Sequence, residues 1–165
     1  MLILISQLVG QPIISFDGAE TIGLLGEPII DPTNGKLVGY FYSHGFLNLK
    51  QDIVSVHDII GYDQSRVIAS HEDIALITSE EPKLSAIITK KVPVLGAKVL
   101  TLHGNYLGLA HDLLLDTELG MIVKYYVHHL LSDRIIAAEQ VITIDKRGII
   151  VDNEAMTMVT APAEA

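Results

Sequence analysis

Seven histidines and two matching aspartates are the residues of this chain that invite chemistry. His44, His57, His71, His103, His111, His128 and His129 would suggest a metal site if two of them shared one face of an element, but no H-x-x-x-H or H-x-H spacing occurs. His128 and His129 are adjacent in an apolar run that reads as a strand, which points them to opposite faces. The 165 residues include no cysteine, so there is no thiolate nucleophile, disulfide framework or zinc ribbon. Asp31 and Asp116 would make an acid–base pair only if the fold brought them together, and the turns they open already account for them. Gly23 and Gly26 form a lone G-x-x-G within a strand, with no following helix or lysine, so it is not a phosphate loop. This reading assigns no catalytic, cofactor-binding or metal-ligating residue, and expects no enzyme activity and no cofactor.

The elements that carry these residues come in two copies. IGLLGEPIIDPTNGKLVGYFY, residues 22–42, aligns without a gap to LGLAHDLLLDTELGMIVKYYV, residues 107–127. Gly23, Leu24, Asp31, Gly35, Val38 and Tyr40 are repeated as Gly108, Leu109, Asp116, Gly120, Val123 and Tyr125, all at an offset of 85. Residues 53–69 align with 135–151 at an offset of 82, which puts the length change in the 43–52 loop, and VGQPI at 9–13 resembles LGAKV at 95–99. Such self-similarity marks an internal duplication.

Within each copy the apolar runs are short, β-branched or aromatic, and bounded by Gly, Pro, Asn or Asp, as in strands. Each copy reads as extended segment, strand, tight turn, strand, loop, short helical or polar turn, and final strand. Asp31 to Gly35 joins two strands, with Asp31 accepting from the turn backbone and Asn34-Gly35 tolerating positive φ. Runs such as Leu113 to Leu115 are apolar on consecutive residues, which requires cover on both faces. If the sister copy does not cover Leu113–Leu115 and Tyr125–Val127, a homodimer must. Between the copies Pro82 suits the first position of a short helix.

Charge narrows the partners. The net of −9 is uneven: residues 1–82 carry three basic against eleven acidic residues, and residues 83–165 carry eight against nine. A negative field repels phosphate, which argues against direct nucleic-acid or anionic-membrane binding and for a basic protein segment at the first copy. The apolar N-terminus lacks a basic flank and is broken by Ser6, Gln7, Gly10 and Pro12, unlike a signal peptide, and no run approaches the ~20 apolar residues of a membrane span. A cytoplasmic location without membrane insertion is expected.

The repeated order, Gly10 or Gly96 before the first strand, then G-L-x-x-(E/D)-x-(I/L)-(I/L)-D-x-x-x-G-x-(I/L)-V-x-Y, then a polar turn and a strand carrying Asp63 or Asp145, resembles the PRC-barrel domain. That family is named after the cytoplasmic domain of the photosynthetic reaction-centre H subunit and includes the C-terminal domain of the ribosome maturation factor. The resemblance covers residues 9–70 and 95–152. It implies an all-β fold of two small β-barrels in tandem, related by a pseudo-two-fold, with short helical turns: repeat 1 at 1–80, linker and short helix at 81–91, repeat 2 at 92–165. It also implies a non-enzymatic scaffold or adaptor acting through barrel surfaces, with no shared catalytic residues to carry over. An RNA-processing or ribosome-assembly accessory working through a basic protein partner stays open, as does a small-ligand-binding module.

Overall fold

The computed structural model describes residues 1–18, 20–44, 51–71, 74, 82–90 and 92–153. Its strands are β1 (Leu2–Leu4), β2 (Pro12–Ser15), β3 (Thr21–Ile30), β4 (Leu37–Ser43), β5 (Gln51–Ser55), β6 (Ile59–Tyr62), β7 (Val67–Ala69), β8 (Lys98–Thr101), β9 (Tyr106–Asp116), β10 (Met121–His129), β11 (Ser132–Ala137), β12 (Val141–Asp145) and β13 (Gly148–Val151). Among the described residues the helical elements with defined bounds are α1 (Ile5–Leu8), α2 (Pro82–Lys90), and 3-10 turns at Val56–Asp58 and Ala138–Gln140. The fold is all-β, and α2 begins at Pro82, where a missing N–H costs a helix nothing.

Two sheets hold the strands. One runs β5-β4-β3-β2-β7-β6; the other runs β11-β10-β9-β8-β13-β12, with β1 added on β9. The two orders correspond strand for strand, including one parallel pair in each: Ile13 faces Val67 between β2 and β7, and Val99 faces Ile149 between β8 and β13. The remaining ladders are antiparallel. Local hydrogen bonds repeat as well. Gly10 N donates to Leu25 O at 2.7 Å and Gly96 N to Ala110 O at 2.7 Å, while Ser70 N donates to Asp58 O at 2.8 Å and Asp152 N to Gln140 O at 3.0 Å. Within each sheet the ladders form an open path among the described residues, from β5 to β6 and from β11 to β12.

Each copy holds two strands more than its sequence suggests: β5 or β11 forms where the reading passed from loop to polar turn, and the final strand is a pair. The segment read as a polar turn and one final strand folds as a 3-10 turn and a hairpin, β6–β7 or β12–β13, because Asp63 to Arg66 and Asp145 to Arg147 turn the chain within a few residues. The length change between copies falls at the β4–β5 connection, of which residues 45–50 lie outside the described residues; its counterpart is the two-residue turn Leu130-Leu131.

The sheets share one core. Ile13, Tyr40 and Val54 of the first sheet, Val99, Leu113 and Tyr125 of the second, and Ile5 and Leu8 of α1 belong to a single buried cluster. The N-terminal strand crosses between the copies: β1, within the 1–80 segment, pairs with β9 of the second sheet, Leu4 facing Leu114 and Leu2 facing Asp116. Of Leu113–Leu115 and Tyr125–Val127, the side chains of Leu113, Leu115, Tyr125 and Val127 are buried within one chain, while Leu114 and Tyr126 are half-buried. Among the described residues no helix is long and apolar enough to cross a membrane.

Candidate interaction surfaces

The junction of the copies is built from their two β-hairpin turns. In the first, Asp31 O accepts from Gly35 N at 2.9 Å, Asp31 Oδ1 accepts from Thr33 N at 2.9 Å and Thr33 Oγ1 at 2.6 Å, and Oδ2 accepts from Asn34 Nδ2 at 3.2 Å. In the second, Asp116 O accepts from Gly120 N at 2.8 Å and Asp116 Oδ1 accepts from Glu118 N at 2.9 Å and Leu119 N at 3.2 Å. Gly35 at φ 69° and Gly120 at φ 64° close the turns in the left-handed region that glycine enters freely. Burial alone would raise the Asp31 carboxyl, but the bonds from Thr33, the charge of Lys83 and the Asn34 amide hold it below the usual carboxylate range. Both carboxylates are engaged by their own turns, and no hydrogen bond joins them; the geometry is that of two turn formers.

These turns meet each other. Leu37 N donates to Gly120 O at 2.9 Å, and Ile122 N donates to Gly35 O at 3.0 Å, with Lys36 bridging antiparallel to Met121. Beside this seam lies a cleft of about 410 Å³ between Pro32–Gly35 of one copy and Ala138–Ile144 of the other, with Tyr125 in its wall. Burial pushes the Tyr125 phenol up to about 12. A second cleft, of about 270 Å³, lies between Thr117–Glu118 and Ile59–Tyr62. Shifting these residues by the repeat offsets of 85 and 82 gives Pro32–Thr33 and Val141–Ile144, so the two clefts are built from equivalent pieces of the copies.

The histidines are dispersed. His44 Nε2 pairs with Asp52 Oδ2 at 2.5 Å and His128 Nδ1 with Asp133 Oδ1 at 2.5 Å, both across strand pairs. His111 meets the ring of His128 edge-on at 6.1 Å, His129 meets Tyr106 at 5.1 Å, and His103 lies beside Asn153. Among the described residues no three His, Cys, Asp or Glu side chains gather as a metal would need.

Two features had no place in the sequence reading. Asp112, buried at 7% exposure, accepts from Ser6 N at 3.1 Å and Ser6 Oγ at 2.5 Å, fixing β1 and α1 on the second sheet. A carboxylate inside an apolar strand was the available signal, since it must find donors if buried. The second is the tip of the β10–β11 hairpin, where Leu130 at φ 55° is 79% exposed and Leu131 is fully exposed. Two leucines between runs of strand residues read as more strand, so only their φ and exposure reveal the turn.

An apolar groove of about 400 Å³ completes the surfaces. Its floor is β3 from Glu27 to Ile30 with Phe41, and its far wall is Ile87 and Ile88 of α2 followed by Val92–Leu95. In comparison with known proteins, no family model matches the chain and no curated protein matches it. The protein is therefore defined by its fold: an all-β chain of two sheets with the same strand order.

Proposed function

We propose that the chain is a non-enzymatic adaptor, two PRC-barrel-like units related by a local two-fold, whose outer surfaces engage a partner protein. The Leu130-Leu131 tip carries this reading. Two-residue hairpins favour Asn-Gly or Asp-Gly because both central residues take up left-handed or related geometry; a leucine at φ 55° costs about 1–2 kcal/mol. Each exposed leucine also forgoes about 1.5–3 kcal/mol of burial. The burial is regained when the tip enters an apolar pocket on another surface, as anchor side chains do at the centre of interfaces, and that gain offsets the backbone strain.

The acidic excess of residues 1–82 favours a basic partner segment and speeds its encounter. The absence of cysteine suits a reducing compartment, and the adaptor is assigned to the cytoplasm on that ground. The test is affinity capture with the wild type and with the double variant Leu130→Asn, Leu131→Gly, identifying the captured proteins by mass spectrometry. A partner retained by the wild type and lost by the variant supports the adaptor. Capture unchanged by the variant, or an activity traced to the clefts, rejects it.

A further inference from the structure

The two clefts at the seam differ in one side chain, and the difference points to a ligand. In the first copy Tyr40 on β4 and Tyr62 on β6 meet hydroxyl to hydroxyl at 3.3 Å, and Tyr62 lines the smaller cleft, of about 270 Å³. The ladders locate the counterparts of this pair. Tyr40 faces Val54 and Tyr125 faces Ile136, while Tyr62 faces Val67 and Ile144 faces Ile149. Ile136 and Ile149 are Val54 and Val67 moved by the repeat offset of 82, so Tyr125 stands for Tyr40 and Ile144 stands for Tyr62.

An isoleucine has no hydroxyl to offer. Tyr125 is 2% exposed, and its phenol has no hydrogen-bond partner among the described residues. Burial is the one cause that raises it, whereas at Tyr40 the neighbouring Tyr62 adds to burial. The Tyr125 hydroxyl sits at the Gly35 wall of the larger cleft, since a Cβ on that glycine would stand 3.7 Å from it. Ile144 lines the same cleft, whose volume of about 410 Å³ falls within the ~300–1,000 Å³ of small-molecule pockets. A nearly buried hydroxyl gains more from a partner than one in bulk water, because it has already lost most of its hydration.

We propose that the larger cleft binds a neutral phenol, its ring against Ile144 where the first copy carries the Tyr62 ring, and its hydroxyl bonded to the Tyr125 hydroxyl. The other walls suit a ring: Pro32, Met121, Ile122 and Val141 supply apolar contact. Exposed Glu139 lines the cleft, and the Asp31 carboxylate begins the turn that forms its opposite side, so a negative charge on the ligand is disfavoured. The chain's own Tyr40–Tyr62 pair is the template for the contact. This site is additional to the adaptor surface, because neither Leu130 nor Leu131 lines it.

The probe is 4-methylphenol, the tyrosine side chain as a free molecule, titrated into the isotope-labelled full chain and followed by amide shifts. Saturable shifts are expected at Asn34, Gly35, Ile122, Thr143 and Ile144, with the millimolar dissociation constant of so small a ligand. Methylbenzene, which lacks the hydroxyl, should bind about fivefold more weakly, the worth of one hydrogen bond. Tyr125→Phe removes only a hydroxyl without a partner in the chain, so it keeps the fold, and it should bind the two probes alike. Ile144→Tyr supplies the phenol from the chain itself and should abolish binding; if the larger side chain disturbs β12, Tyr125→Phe decides alone. No shift at millimolar 4-methylphenol, equal affinity of the wild type for both probes, or undiminished discrimination in Tyr125→Phe overturns the proposal. So does tighter binding of 4-hydroxybenzoate than of 4-methylphenol, or a set of shifts centred on Ile59–Tyr62 and Thr117.

Discussion

Leu37 and Ile122 are reciprocal: the N–H of Leu37 donates to the carbonyl of Gly120 at 2.9 Å, and the N–H of Ile122 donates to the carbonyl of Gly35 at 3.0 Å. All four residues obey the repeat offset of 85. A contact in which residue i of one copy meets j of the other, and j meets i, is the signature of an isologous interface between two subunits. Here it occurs within one chain, and each turn thereby finds an acceptor and a donor for backbone groups that its own hairpin leaves over. The same seam sets the position of both clefts.

Replacing Gly35 or Gly120 by alanine forces a Cβ into the left-handed region at φ 69° and 64°. Each substitution is expected to lower stability by about 1–2 kcal/mol, by similar amounts for the two sites, measured as the shift of the urea midpoint with an unchanged slope. Space is not the reason: the nearest atom to a Cβ at Gly35 is the Tyr125 hydroxyl at 3.7 Å, and none lies within 4 Å at Gly120.

Asp31→Ala is expected to cost about 2 kcal/mol, because it leaves the Thr33 and Asn34 donors without their charged acceptor, and Asp116→Ala less, since Asp116 is less buried. The pH dependence has a definite sign. A carboxyl held below its ordinary value of 3.8 stabilises the fold above that pH, and the contribution is lost as pH falls through the depressed folded value. The gap between wild type and Asp31→Asn in thermal melts should therefore close in strong acid and stay constant above pH 5.

Tyr125 gives the opposite limb. Its phenol is raised from 10.0 to about 12 by burial, so its contribution is complete below pH 10 and is lost as pH rises toward about 12. Alkaline unfolding followed by circular dichroism should move to higher pH in Tyr125→Phe relative to its own neutral stability. An unchanged alkaline midpoint would place the hydroxyl in water.

The double change Leu130→Asn, Leu131→Gly should raise the melting temperature, as strain of about 1 kcal/mol is released at the tip. Gain of stability together with loss of a partner separates recognition from folding in one variant.

Neutralising Asp17, Glu20 and Asp52 is expected to weaken a basic partner more than neutralising Glu118, Asp133 and Glu139, with affinity falling as salt rises. Asp52 and Asp133 provide an internal comparison, since each is bonded to a histidine, His44 and His128, in its own copy. Glu72 and Asp73, which belong to the same acidic set, lie outside the described residues. Equal losses measured by isothermal titration in both sets would leave the acids as a solvated face.

The sequence alone carried the duplication, the strand-rich class, both Asp–Gly turns and the start of α2 at Pro82, because each is settled within a few neighbouring residues. An Asp that accepts from the N–H two positions on, as Asp31 does from Thr33 and Asp116 from Glu118, needs no distant partner to form. What the tertiary structure decided is pairing and exposure. MLIL is equally apolar whichever sheet it joins, and its place on β9 is fixed by Asp112, more than a hundred residues away, which takes the donors of Ser6. Likewise Ile88–Lys90 could have formed the matching strand on β3. Winding them into α2 satisfies the same backbone groups locally, and among the described residues no strand pairs with β3 where β1 pairs with β9.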